Sequence, residues 1–348
     1  MRTGYETNIA DMPFHFHAGL REEVTELTSS GLGRVPISIT ASTTDPTLLT
    51  VGFSDSQPVT TKSDYAYLLP AVDMMLELTN SLHLRLDASR TLTRPGLSLL
   101  TPVLTVGSGQ RVGALTASGG NPNLKPYLSD NFDAAVEWYY QRNSYASVNF
   151  FLKDVTNFIV GGTQRQTIND VVDPSTGQKA IFSVSQQVNG PKATVRGVEI
   201  AWQHVFGDSG FGFNANATLV DTNRPYDPTD ISQSGFAVTG LANSANFVGF
   251  FDKYGFEARV AVNWRDKYLL QFGQTQNTGA FGSEPTFVNQ STQVDFSTSY
   301  QIRPEVNIFF DATNLFNETQ STHGRFANQL LDVYAYGRRL TAGVRVHF

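Results

Sequence analysis

Two histidines separated by one residue, His15 and His17 in "FHFHAG", are the first side chains whose type and spacing could do chemistry. On a strand they share a face, roughly 7 Å apart, with Phe14 and Phe16 opposite. That is half of a metal site, and no third ligand stands at a matching spacing. The same parity makes them two polar groups on the wet face of a strand, which is the reading adopted. Carboxylates are numerous, yet no pair sits in a motif that fixes a catalytic geometry. G-x-S-x-G, H-E-x-x-H and a phosphate loop are all missing, and Ser, His and Asp are scattered. The expectation is therefore no enzyme, no catalytic residue, no resident metal and no cofactor.

The elements that carry these residues have a plain signature. Twenty-five Phe and thirteen Tyr against three Trp and four Met is a strand-rich balance in 348 residues. There is no cysteine, hence no disulfide framework. A net charge of −6 argues against a nucleic-acid partner, which needs clustered Lys and Arg. No run of about 18 apolar residues offers a transmembrane helix. Apolar and polar residues instead alternate with period two. Leu82, Leu84, Leu86 and Ala88 share a face against His83, Arg85 and Asp87. Phe132, Ala134, Val136, Trp138 and Tyr140 oppose Asp133 and Glu137, and Phe256, Ala258, Val260, Val262 and Trp264 oppose Glu257, Arg259 and Asn263.

The connections alternate too. Tight turns such as "LTNSLH", "YYQRNSY" and "FDKYGF" take turns with long polar stretches near 29–60, 96–125, 160–191, 221–238, 270–288 and 317–332. That is an antiparallel up-and-down meander with turns at one end and elaborate loops at the other. The alternation persists for roughly 9 to 15 residues, enough to cross a bilayer on a tilt. Arg85, Asp87, Glu137, Glu199, Arg259 and Asp295 fall on the polar face, which a water-filled lumen accepts and a dry sandwich core does not. The fold class expected is all-β, a transmembrane β-barrel in contact with outer-membrane lipid. The stretch "LTAGVRVHF" repeats the pattern, with Leu340, Ala342, Val344, Val346 and Phe348 on one face. It reads as a closing strand and as the signal recognised by the barrel-assembly machinery.

"RLDASRTLTRPGLSLL", "GNPNLKPYLSDNFDAAVEWYY", "VNFFLKDVTNFI", "NGPKATVRGVEIAWQHVF", "IFFDATNLFNE" and "YGRRLTAGVRVHF" together resemble the barrel of a TonB-dependent outer-membrane receptor. The wording is most similar to the receptor group typical of Caulobacter and Xanthomonas relatives, over nearly the whole chain. The resemblance implies a barrel of about 22 strands with a plug folded inside it. Counted back from Phe348, this chain supplies about twelve strands, the C-terminal part of the barrel. They are placed near 14–28, 62–79, 81–94, 126–141, 144–160, 192–206, 210–221, 239–252, 255–269, 290–302, 304–317 and 333–348. Residues 1–10 read as the tail of one more strand, entering a turn at Asp11-Met12-Pro13, and 34–53 as a hairpin within an external loop. Signal peptide, TonB box, plug and first barrel half are not seen, so residues 1–348 are expected to be one partial barrel domain, a fragment not competent alone.

Within that frame, Arg94 either reaches a ligand or anchors a loop through an ion pair, the latter preferred. "NPNLKP" at 121–126 reads as a rigid re-entry into the barrel. Asn314 in "NLF" resembles the family's penultimate-strand ending and caps a bend. Tyr127, Trp138, Phe272, Phe281 and Phe287 could stack on a ligand but are more readily loop packing, and the parity of Trp138 points it at lipid. The implied function is a part of a receptor for active nutrient uptake in the outer membrane of a Gram-negative bacterium. TonB is the energising partner, and the small nutrient is an oligosaccharide, a ferric siderophore or cobalamin, with the sub-group pointing to a carbohydrate. The alternative is a self-contained passive channel of about twelve strands.

Overall fold

The computed structural model describes residues 2–107, 109–229, 236–272 and 284–347. Thirteen strands form one antiparallel sheet in simple chain order. They are β1 (Arg2–Ile9), β2 (Met12–Gly33), β3 (Gln57–Thr79), β4 (Leu82–Thr93), β5 (Tyr127–Gln141), β6 (Ser144–Thr156) and β7 (Ala193–Val205), followed by β8 (Phe211–Thr222), β9 (Ser244–Lys253), β10 (Phe256–Arg265), β11 (Ser291–Arg303), β12 (Val306–Thr313) and β13 (Arg339–Val346). Every strand is bonded to its predecessor and its successor, except that β1 and β13 each have one partner, so the described sheet is open.

The register turns the sequence alternation into two faces. Leu84 lies opposite Leu76 and Val136, which in turn faces Val148 and then Ile200. Val136, Phe150 and Ile200 are exposed on this outer face. Moving away from the tight turns, the same face ends in charge. Arg90 pairs with Asp130 at 2.6 Å, Lys192 with Asp154 at 2.8 Å and Arg196 with Asp221 at 2.9 Å. From Leu82 to Arg90 the apolar stretch is about 26 Å of strand, close to the apolar band of a membrane barrel. Its turn end carries an aromatic belt. Trp202 Nε1 donates to the Tyr140 hydroxyl at 2.9 Å, which sits 2.8 Å from His204 Nδ1, and Trp138 packs on Tyr140 at 4.7 Å.

The opposite face is polar. His17, Asp73, Asp87 and Asp133 face one another in a row across β2 to β5, and Arg85 pairs with Glu137 at 3.0 Å. The row Asn216, Asn246, Asn263 and Gln293 continues the same character across β8 to β11. Two aromatics of this face lie over glycines of the next strand. Phe151 lies over Gly197 and Phe309 over Gly343, each directly opposite, and a Cβ on either glycine would collide with the ring.

Most expected strands form within a few residues of their expected bounds, with four informative differences. The segment Arg2–Ile9 is a fully paired strand rather than a tail. Its turn falls one residue earlier than expected, on Ala10 and Asp11, both with positive φ, while Met12 and Pro13 already belong to β2. The β2 and β3 strands run to 22 and 23 residues because they continue as a paired mast beyond the apolar band. The stretches expected at 255–269 and 333–348 each divide: Tyr268–Phe272 and Leu330–Tyr334 leave the wall and join a sheet built from loops.

Candidate functional site

The long connections build two lobes at the end opposite the tight turns. In the first, Pro36–Ala41 and Leu48–Phe53 form the expected hairpin. Loop strands Leu104–Val106, Thr116–Gly119, Ile159–Val172 and Lys179–Asn189 form a four-stranded sheet, with Thr116–Gly119 parallel to Lys179–Asn189. Three loops therefore share one hydrophobic core around Ile39, Leu49, Leu115, Phe182 and Val184. At its edge Asp45 accepts from the Thr47 hydroxyl at 2.7 Å and the Thr47 N–H at 3.0 Å. These two donors hold its carboxyl below the usual aspartate range, the Arg111 charge adding to them.

The second lobe is the sheet of Tyr268–Phe272, Pro285–Val288, Gln320–His323 and Leu330–Tyr334. Arg325 clamps it by a bidentate pair to Glu284 at 3.0–3.3 Å and by donating to the Pro228 carbonyl at 2.7 Å. A cavity of about 410 Å³ opens there, lined among others by Tyr226, Leu241, Lys267, Phe287, His323 and Arg325. Phe287 and His323 are register partners whose rings stack at 5.1 Å with 16° between planes. Tyr226 meets Phe287 edge-on at 5.3 Å.

The residues singled out in the sequence are dispersed. His15 lies on the polar face, 3.5 Å from Glu6 and 3.4 Å from Glu77, and His17 Nδ1 is 3.3 Å from Asp73. Arg94 forms an ion pair with Glu23 and donates to Thr25 at 2.9 Å, tying the exit of β4 to the mast. In the 121–126 stretch Asn121 donates to the Gln187 carbonyl, Lys125 N–H donates to Asn189, and Leu124 and Pro126 are buried. Asn314 adopts φ +54, and its side chain bridges Glu318 and the Gly337 carbonyl. Trp138 is half exposed on the outer face and Tyr127 packs on Phe158. Of the aromatics singled out in the sequence, Phe287 lines the cavity, and Phe281 lies outside the described residues. On β13, Leu340, Ala342, Val344 and Val346 pair with Ala312, Phe310, Ile308 and Val306 on the outer face, and Phe348 lies outside the described residues. His323 carried no sequence signal, since it stands in a polar loop with no periodicity around it.

An ordered antiparallel wall with an apolar outer band, an aromatic belt, a polar inner face and loop lobes at one end is the wall of a transmembrane β-barrel. The family model for the TonB dependent receptor-like beta-barrel matches residues 5–315, and the chain belongs to that family. Solved structures agree at the level of fold. A G324V mutant of the ferric enterobactin receptor PfeA from Pseudomonas aeruginosa is 16% identical with a TM-score of 0.59, the match covering 100% of this chain and 53% of that one. The siderophore receptor PirA from Acinetobacter baumannii is 14% identical at 0.61, over 100% and 54%. The hemophore receptor HasR of Serratia marcescens, in complex with HasA and heme, is 14% identical at 0.58, over 100% and 50%. The chain thus spans about half the length of the solved receptors it matches. No curated protein matches it by sequence.

Proposed function

We propose that this chain forms part of the wall and external loops of a TonB-dependent receptor that takes up a scarce nutrient across the outer membrane of a Gram-negative bacterium. The observation that carries this reading is the pairing of an open thirteen-stranded wall with loops folded into two lobes. A passive pore needs a closed ring of strands, and β1 and β13 are unpaired with each other. In the receptor, further strands would complete the ring and a plug would face the polar rows. TonB, driven by the proton-motive force, would move that plug. The nutrient is drawn from oligosaccharides, ferric siderophores or cobalamin. The alternating residues Leu340, Ala342, Val344, Val346 and Phe348 of the sequence would serve the barrel-assembly machinery.

The test is uptake in the native cell with the gene intact, with the gene deleted and with TonB removed. Accumulation of one nutrient that is lost in both deletions supports the receptor. Accumulation that survives TonB removal, with small solutes leaking only when the gene is present, would identify the passive channel instead.

A further inference from the structure

On the outer face of β7, where that strand meets its tight turn, one imidazole stands in the aromatic belt with an open nitrogen. Arg196, at the charged edge of the apolar band, and His204 are separated by about 26 Å along the strand. His204 therefore lies at the opposite edge of the band, at the depth of lipid headgroups, on the short-turn side that faces the periplasm in such barrels. Tyr140 stacks on its ring at 5.7 Å, and Phe206 and Phe213 pack against it at 4.4 Å and 6.0 Å. A relay of hydrogen bonds sets its tautomer. An indole N–H only donates, so the Tyr140 hydroxyl accepts from Trp202 at 2.9 Å. The hydroxyl proton then has two acceptors within reach, His204 Nδ1 at 2.8 Å and the Gln203 carbonyl at 3.3 Å, and the shorter bond takes it. With Nδ1 accepting, the neutral ring carries its proton on Nε2. That nitrogen has no hydrogen-bond partner among the described residues and keeps accessible surface.

An open donor at that depth meets the oxygens of lipid headgroups. Arg142 adds a charge beside it. It is exposed in the turn between β5 and β6, which Gln203 Nε2 holds against β7 by donating to the Asn143 carbonyl at 3.0 Å. Arg142 makes no ion pair among the described residues. The next turn carries Asp208, whose carbonyl accepts from the Lys253 ammonium. An N–H donor beside a guanidinium suits the charged phosphate better than a neutral ester carbonyl. We propose that His204 and Arg142 hold the phosphate of one glycerophospholipid of the periplasmic leaflet. His204 donates to it through Nε2, and the glycerol and upper acyl carbons of the lipid rest against Trp202, Phe206 and Phe213. An aromatic belt holds a barrel at the interface as a whole, whereas this pairing fixes one lipid at one position. The inference rests on the membrane wall and is independent of any nutrient.

The experiment uses the full chain in maltoside micelles, with β-sheet content checked by circular dichroism. Trace dioleoylphosphatidylglycerol, dioleoylphosphatidylethanolamine or dioleoylglycerol is added, and native mass spectrometry counts the lipids each chain retains. Dioleoylglycerol keeps the acyl chains and loses the phosphate, so this comparison needs no altered protein. One phospholipid of either kind should be retained at least about fivefold above dioleoylglycerol. Glycerol phosphate, which lacks the acyl chains, should not be retained. His204→Phe keeps the ring packing, removes both nitrogens and should lower phospholipid retention to the dioleoylglycerol level. Arg142→Gln should lower it in part. Nitrogen NMR of the labelled histidines should show the His204 signal, assigned by its loss in His204→Phe, as the Nε2–H tautomer. Equal retention of phospholipid and dioleoylglycerol, retention of glycerol phosphate, retention that survives His204→Phe, or an Nδ1–H tautomer would each overturn the proposal. Any of these leaves the receptor reading standing, since TonB-dependent uptake is measured in the cell and not in these micelles.

Discussion

Arg90 and Asp130 meet at 2.6 Å on the outer face of the sheet, on adjacent strands, directly where the apolar band stops. Six residues nearer the turns on the same strand as Asp130, Val136 stands on that face between Leu84 and Val148. The two positions share parity and differ in depth, so the bilayer should treat them differently. The pair is about two-fifths exposed on both sides, and exposed pairs contribute roughly 0–1 kcal/mol. Asp130→Ala should therefore leave folding into vesicles nearly unchanged. Val136→Arg puts a charge into the lipid band at a cost of about 2–4 kcal/mol. Urea titration of the chain in lipid vesicles measures both. Equal losses at the two positions would mean that the charged belt does not mark the edge of the band.

Phe182 is fully buried in the first lobe, beside Val184 and Leu115. Phe182→Ala should cost about 3–5 kcal/mol of local stability, the range for deleting a core aromatic. The effect should stay in the loops, since the core draws on three connections and not on the wall. Hydrogen exchange would rise across 104–119 and 159–189 while β5 and β6 keep their protection. A rise shared by the wall would show that lobe and wall unfold together.

The wall was legible in the sequence because its information is local. Strands such as 82–93 and 127–141 repeat one parity over many residues, and a one-residue slip would turn every outward residue inward. The lobes were not legible for the opposite reason. Thr116 and Ala117 pair in parallel with Ser183 and Val184, partners more than sixty residues away in sequence, through strands of four and eleven residues. The four-residue strand carries too little periodicity to separate from loop, and nothing local marks its distant partner. Arg94 was legible as an anchor, since an arginine leaving a strand beside a long loop has few other uses. The stack of His323 on Phe287 was not, because only the register between two four-residue loop strands brings those rings together.

Arg325 and Glu284 are 10% and 17% exposed, joined across loops forty-one residues apart. Removing the Glu284 carboxylate takes the bidentate hydrogen bonds from a mostly buried guanidinium, at roughly 3 kcal/mol. Glu284→Gln should open the second lobe, with trypsin cutting at Lys267 at least tenfold faster. Replacing both residues together, Glu284→Gln with Arg325→Met, should restore part of the protection because the guanidinium that lost its bidentate partner is removed as well. Failure of the double variant to recover would place the contribution of Arg325 in its Pro228 contact instead.

Asp45 links lobe stability to pH. Hydrogen bonds from Thr47 depress its folded pKa, with the Arg111 charge acting in the same direction. A depressed carboxylate contributes stability above the unfolded value of about 3.9, and that contribution is lost as pH falls through the folded value. The turn at 42–48 should therefore keep its proteolytic resistance from neutral pH to about pH 4 and lose it progressively below. Thr47→Val removes the hydroxyl donor and should move that loss to higher pH. An unchanged profile in this variant would mean that the backbone N–H alone sets the shift.

Asn314 tests how the wall hands over to the second lobe. Its φ of +54 is a left-handed conformation, and it is 6% exposed. Its N–H donates to Asp295 at 2.8 Å, its amide nitrogen donates to the Glu318 carbonyl at 2.9 Å, and its amide oxygen accepts from the Glu318 N–H at 2.7 Å. Two substitutions separate the backbone from the side chain. Asn314→Gly keeps the conformation and loses the amide, which leaves buried groups unpaired at about 1–3 kcal/mol. Asn314→Ala loses the same bonds and adds the left-handed penalty of about 1–2 kcal/mol. Unfolding midpoints in urea should fall in the order Asn, Gly, Ala. If glycine and alanine are equal, the turn has relaxed out of the left-handed region. In that case the amide network, rather than backbone conformation, holds the end of β12 against β11.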